Sequence, residues 1–275
     1  MRATIWGCRG SLATPGAATV RYGGNTTSLE LETPTGVPVV IDAGTGIRPL
    51  GLALEECSPE RIHLLLTHLH LDHVEGLGFF APLFRDGCSV TVWGPPQDGS
   101  SLAARVAAYL SPPHFPLPFD RFGASIEFVE VWQETWELEG LRVTCAPVRH
   151  PGNTLGYRIE EGGASLAFIP DCETALEPDS GLALAAGADA LLHDAQYTAD
   201  EYRTRVGWGH SALPDFAGFV GRADPERVLM FHHDPSHGDD VLEEMRRTAE
   251  RLAGRPIELA AEGLAIDLAS SRDSI

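Results

Sequence analysis

Lysine is missing from this chain of 275 residues: all 20 basic residues are arginine, set against 39 aspartates and glutamates, for a net charge of −19. The absence of one cation type is most simply a matter of base composition, but the shortage of positive charge excludes a class of function. A protein that grips long nucleic acid draws much of its affinity from neutralised phosphates and shows a basic face, and this chain has no basic run. Also missing is any stretch near the roughly 20 apolar residues of a membrane span. The opening MRATIWGCRG has no apolar run behind its charge. A soluble, cytoplasmic protein with no membrane partner is expected. Cysteine is sparse: Cys8, Cys57, Cys88, Cys145 and Cys172 are odd in number and scattered without a CxxC spacing, which excludes a disulfide framework and thiolate metal sites. Long polar tracts are lacking too, and a hydrophobic content of 43% suffices for one large core rather than disorder.

What is present reads as alternating strands and helices. The segments RATIW, TTSLELE and VPVVID read as strands, IRPLGLALEE as a helix, and RIHLLLTH as a strand running into a histidine cluster. After SVTVW and the helical SSLAARVAAYL comes SPPHFPLPF, whose prolines preclude helix; residues 94–123 are read as a proline-rich lid or arm carrying His114 and Phe115. The style then repeats in a second half, with strands at ASIEFVEV, WELEGLRVTCAPV, TLGYRIE, SLAFIPD and DALLHD, and helices over 213–222 and 239–253. Two strand-rich halves with helices outside predict an α/β protein, a four-layer αββα sandwich formed as a single domain over 1–275.

The densest chemistry lies in LLLTHLHLDHVEG, residues 64–76. Imidazole and carboxylate are ligands of zinc, manganese and iron, and an extended segment passing into a loop lets His68 and His70 point one way while Asp72 and His73 face another. One segment can thus serve two adjacent ions, but four residues do not complete two coordination spheres. Further ligands are predicted at later strand ends, where His150 closes VTCAPVRH, Asp171 closes SLAFIPD and His232 closes RVLMFH. His233 is the alternative to His232, which is preferred as nearest the strand end. His63 is expected on the opposite face of its strand, His237 at a helix entry whose aspartates suit a cap, and Cys172 as a packed thiol.

The motif THLHLDH with His150, Asp171 and His232 resembles the metallo-β-lactamase-fold hydrolases over essentially the whole chain. The resemblance implies that His68, His70 and His150 bind one metal, that Asp72, His73 and His232 bind the other, and that Asp171 bridges them. The cofactors are then two divalent ions, zinc first, with manganese or iron as alternatives. Flavodiiron relatives carry a glutamate where this chain has His70, which disfavours a redox role. A metal pair of this kind holds a bridging hydroxide as nucleophile, which argues for hydrolysis without choosing between carbonyl and phosphorus.

Phosphodiester cleavage spreads charge over non-bridging oxygens and releases an alkoxide that profits from protonation. GWGHSA supplies a histidine for both at His210, and LLHDAQYT places Asp194 where it can fix the tautomer of that histidine. The pair is similar to two short motifs of the ribonuclease Z group, with aspartate in place of glutamate, and WGCRGS and RYGGNTTS resemble the openings of that group and of the phosphoribosyl cyclic phosphodiesterases. Local hairpin geometry is the expected role of those glycines. The candidate catalytic residues are Asp72, His210 and Asp194, with Arg9, Arg21 and Arg149 weighed as phosphate contacts and left outside the site. The expected function is a dinuclear metal-dependent phosphodiesterase acting on a small or cyclic phosphodiester. Hydrolysis of a lactone, thioester or β-lactam on the same centre is the alternative. Long nucleic acid is disfavoured as a partner, and a homodimer is the assembly the resemblance suggests.

Overall fold

The computed structural model describes residues 1–177 and 179–268. Six strands, β1 (Arg2–Gly7), β2 (Ser28–Glu32), β3 (Val39–Ile41), β4 (Arg61–Leu65), β5 (Ser89–Gly94) and β6 (Ser125–Glu130), build one sheet. Seven more, β7 (Glu134–Leu138), β8 (Leu141–Pro147), β9 (Leu155–Glu161), β10 (Ala164–Ile169), β11 (Ala190–Asp194), β12 (Arg227–Phe231) and β13 (Glu258–Leu259), build the second. The chain then returns to add β14 (Ala265–Asp267) antiparallel to β1, so the first sheet runs β14-β1-β2-β3-β4-β5-β6 and the second β13-β12-β11-β10-β9-β8-β7.

Every residue of β10 and β11 is buried, the pattern of strands covered on both faces. One face meets the other sheet, where Ile5, Leu29 and Leu31 pack with Tyr157, Phe168 and Phe231. The opposite face takes α4 (Leu182–Ala185), α6 (Leu213–Ala223) and α7 (Asp239–Ala253), while α1 (Ile47–Cys57) and α3 (Leu102–Tyr109) cover the first sheet; the short α2 (Leu71–Val74) and α5 (Ala199–Tyr202) lie in connections. Helix α6 shows why such segments fold as they do. Pro214 sits in its first turn, where a missing N–H costs nothing, and Phe216, Phe219, Val220 and Ala223 recur along one buried face. The four layers are therefore helices, sheet, sheet, helices, the αββα sandwich expected from the sequence. No helix among the described residues is long and apolar enough to cross a membrane.

Two details differ from the sequence reading. ASIEFVEV is not the start of the second half: β6 pairs in parallel with β5 and closes the first sheet. The division falls instead between β6 and β7. The last strands were not read at all, because β13 and β14 span two and three residues, too short to show a period.

β3 runs parallel with β4, and β10, β11 and β12 run parallel with one another; the carboxyl ends of these strands open toward one edge of the sandwich. There the first polar residue after each apolar run meets the others.

Candidate metal centre

Five elements deliver the ligand-type side chains. The β4 strand passes through Thr67 to His68 and His70, and α2 carries Asp72 and His73. His150 follows β8, Asp171 follows β10 and His232 follows β12. Asp171 lies between two groups. Its Oδ1 is 3.1 Å from His73 Nε2 and 3.3 Å from His232 Nε2, while its Oδ2 is 3.6 Å from His150 Nε2 and 3.8 Å from His68 Nε2. His232 Nε2 also lies 3.0 Å from Asp72 Oδ2, and His70 Nδ1 lies 3.0 Å from His150 Nε2. His68, His70 and His150 thus form one ligand-sized triad, and Asp72, His73 and His232 another. His233 turns away and pairs its Nε2 with the carbonyl of Ala260.

The outward nitrogens of these rings are already engaged. His73 Nδ1 is 2.7 Å from Asp42 Oδ2, His232 Nδ1 is 2.9 Å from Gln196 Oε1, and His150 Nδ1 is 2.8 Å from the Gly209 carbonyl. Thr67 Oγ1 reaches His68 Nδ1 at 3.1 Å. With Nδ1 donating outward, the Nε2 lone pairs of His73, His150 and His232 converge inward, the arrangement of histidines that coordinate a cation. Two such lone pairs, on His73 and His232, face each other at 3.3 Å. Only a proton or a metal between them makes that contact favourable.

Electrostatics point the same way. Asp42, Asp72 and Asp171 are all buried around His73. Burial opposes ionisation of Asp72 and Asp171, yet the surrounding histidines, His73 foremost for Asp72 and His232 for Asp171, hold both well below the usual carboxylate range. Burial likewise works against a charged His73, but Asp171, Asp72 and Asp42 overcome it and push that imidazole well above its ordinary value. Burial drives His68 down and His150 down to about 4, so those two stay neutral. His68 Nε2 and Asp171 Oδ1 are buried without a well-aligned hydrogen-bond partner. Nitrogen and oxygen donors converging on an anionic, dry centre fit a divalent cation of the zinc, manganese or iron type.

Glycine shapes the cup. A Cβ on Gly10 would come within 2.3 Å of the His232 ring, and one on Gly209 within 2.3 Å of the His150 ring. Asp42 and His232, at matching strand ends, both adopt left-handed backbone near φ 60°, a conformation held in place only by strong surroundings. The amino-terminal WGCRGS corrects the hairpin expectation: it bends over the centre, and the N–H of Ser11 donates to Asp72 Oδ2 at 2.6 Å.

His210 stands beside the triads, its ring stacked on His232 with centroids 4.9 Å apart. Its Nδ1 lies 2.8 Å from Asp194 Oδ2, so the shorter acid reaches it. Asp194 is itself fixed by the N–H groups of Cys172 and Gln196. Burial disfavours a charged His210, but Asp194 and then Asp171 outweigh it and raise its pKa. The glycines of GWGH are held by Glu173, a buried carboxylate that accepts from the N–H of Gly207, the N–H of Gly209 and the hydroxyl of Tyr202.

Asp42, Gln196, Glu173 and Thr67 were not singled out from sequence; the one available signal was the aspartate ending VVID. Arg9 is excluded as a phosphate contact, because its guanidinium is fully buried and bonded to the carbonyls of Gly23 and His237. Arg21 pairs with Asp240 on α7. The helix entry at His237 also differs: Gly238 is the cap residue of α7, and Asp239 instead accepts from the N–H of Arg21.

Strand-end histidines and aspartates gathered between two sheets at their carboxyl edge are a donor set that could hold metal, the kind of centre on which metal-dependent hydrolases are built. The beta-lactamase superfamily domain matches residues 38–233, and the chain belongs to that superfamily. Ribonuclease Z of Mycobacterium sp. (strain KMS) is 29% identical over 237 residues, covering 80% of this chain and 82% of that protein. The crystal structure of the metallo-beta-lactamase fold protein YhfI from Bacillus subtilis superposes with a TM-score of 0.73 at 16% identity, covering 97% of this chain and 99% of that one. The Zn(2+)-bound PqqB from Methylobacterium extorquens gives 0.71 at 23% identity, over 98% and 100%. The two structures establish the shared fold.

Proposed function

We propose that the protein is a dinuclear metal-dependent phosphodiesterase acting on a small or cyclic phosphodiester. In this reading His68, His70 and His150 hold one divalent ion, Asp72, His73 and His232 hold the other, and Asp171 serves both. Zinc is the first candidate, with manganese or iron as alternatives. When bound, such a pair of ions supplies Lewis acidity and a nucleophile generated from water at neutral pH.

The observation that carries the phosphorus reading is the buried His210–Asp194 pair at the edge of the centre. With Nδ1 committed to Asp194, Nε2 is the nitrogen left to stabilise a non-bridging oxygen and to protonate a departing alkoxide. Acyl transfer develops charge on a single oxygen, which a metal ion can take alone, so it depends less on such a histidine. Small size is supported by the net charge of −19, which repels a long polyanion, and by an adjoining cleft of about 410 Å³. The name of the relative, ribonuclease Z, keeps RNA in the comparison. The expected setting is a cytoplasmic homodimer, which fractionation and light scattering test.

The test is a side-by-side assay of zinc- and manganese-loaded protein on a chromogenic phosphodiester, a phosphomonoester, a lactone, a thioester, a cephalosporin and a short RNA. Diester turnover is expected, with His210→Ala lowering it about 10²–10⁴-fold at unchanged metal content. A lactone or thioester turned over in the absence of diesterase activity overturns the reading.

A further inference from the structure

The cleft beside the centre has its own chemistry. Its inner end is formed by His68 and His70, and His70 is the one exposed member of the two triads. Much of its lining is apolar, supplied by Leu69, Leu71, Val74 and Leu77 together with Val106 and Tyr109 of α3. Leu71 is 62% exposed, an apolar side chain left open where the cleft begins. An apolar lining of this extent suits a flat ring and offers little to the hydroxyls of a bare sugar.

Polar groups line the same cleft. Arg105 of α3 lines the cleft, and its guanidinium is bonded only to the carbonyl of Asp98, at 2.9 Å, with no carboxylate partner among the described residues. In a chain with 39 acidic residues, an arginine without an ion pair beside the centre is a free cation. Gln97 and Asn153 give their amide N–H groups to the carbonyls of Pro95 and Pro96, at 3.0 and 2.8 Å. Their side-chain oxygens remain as acceptors. Donors on one residue and acceptors on two others match a ring whose edge carries both, and guanidinium and tyrosine faces are surfaces on which such rings stack. A plain aryl group uses the walls and none of the polar atoms.

We propose that this cleft is a nucleoside subsite and that Arg105 is its specificity-determining residue, so that the substrate is a nucleoside phosphodiester rather than a cyclic sugar phosphate. The choice between those substrates rests on the phosphodiesterase reading above. The occupancy of the cleft by a base does not.

Calorimetry with AMP and with ribose 5-phosphate on the metal-loaded protein reads the subsite directly. AMP is expected to bind at least about tenfold more tightly, the scale of one stacked base. Arg105→Ala and Leu71→Asp, both exposed positions, are expected to collapse that ratio, whereas Arg247→Ala, remote on α7, leaves it in place. In turnover, Arg105→Ala narrows the preference for 2′,3′-cyclic AMP over methyl 4-nitrophenyl phosphate. Equal binding of AMP and ribose 5-phosphate, or a ratio untouched by Arg105→Ala and Leu71→Asp, overturns the subsite. An AMP preference without turnover of any diester leaves the subsite standing and removes the phosphodiesterase reading instead.

Discussion

The two triads that share Asp171 are built differently. In the first triad His68 and His70 border the cleft, His70 is exposed, and the partner of His150 is a backbone carbonyl. Asp72, His73 and His232 are all buried, and their outward groups meet a carboxylate, an amide and a backbone N–H from Asp42, Gln196 and Ser11. Burial keeps the histidines of the first triad neutral and ready to coordinate. The second is a cage of anions that forces positive charge onto His73. The open triad can wait for a cation, while the buried one requires a cation at all times. The buried triad should therefore load first and hold its ion more tightly, leaving the open one to exchange with solvent and to meet substrate.

Asp171→Ala breaks the comparison outright, because it removes the residue common to both sides. Metal content should fall from about two per chain to below one, with activity lost, as read by elemental analysis and assay. The glycines separate the sides. Gly10→Ala drives a methyl into the His232 ring and should empty the buried triad, whereas Gly209→Ala does the same to His150 and should empty the open one. Two-step metal titration, followed by calorimetry, distinguishes the outcomes; loss of the same step in both variants would refute the asymmetry. Asp42→Asn is a gentler probe. It keeps the volume and weakens the hold on His73 directly but reaches His68 only through Thr67, so the tight step should weaken roughly 10–100-fold and the loose step by less. Smallest is the effect on stability: metal added at 100 times its dissociation constant should restore about 2.7 kcal/mol per site to the chelated protein, measured by denaturant unfolding. A chelated protein as stable as the loaded one would count against both triads.

Much of this centre could be read in the chain, for a physical reason. A strand that ends at a site changes abruptly from apolar to polar, so His150, Asp171 and His232 announce themselves as the first residues able to coordinate after apolar runs, and Asp194 as the end of one. The four-layer fold followed from the same alternation. What could not be read are partnerships between distant positions. Asp42 meets His73 across 31 residues and Glu173 meets Gly209 across 36, and nothing local marks either contact. Arg9 misled for the converse reason, since an arginine in a glycine-rich loop looks exposed until three-dimensional packing buries it. Gly10 and Gly209 carry no chemistry at all; only the rings resting on them show why a side chain is excluded there.

The three carboxylates buried around His73 have a consequence beyond catalysis. Without a cation they sit close together in a dry interior, beside strand ends that turn through left-handed backbone at Asp42 and His232. On the two-metal reading each ion bound to the folded state relieves that repulsion, so the supply of metal should set how much of the chain stays folded and escapes proteolysis. In cells starved of metal, the amount of this protein should decline along with the activity of each molecule, and an immunoblot would register the shortage.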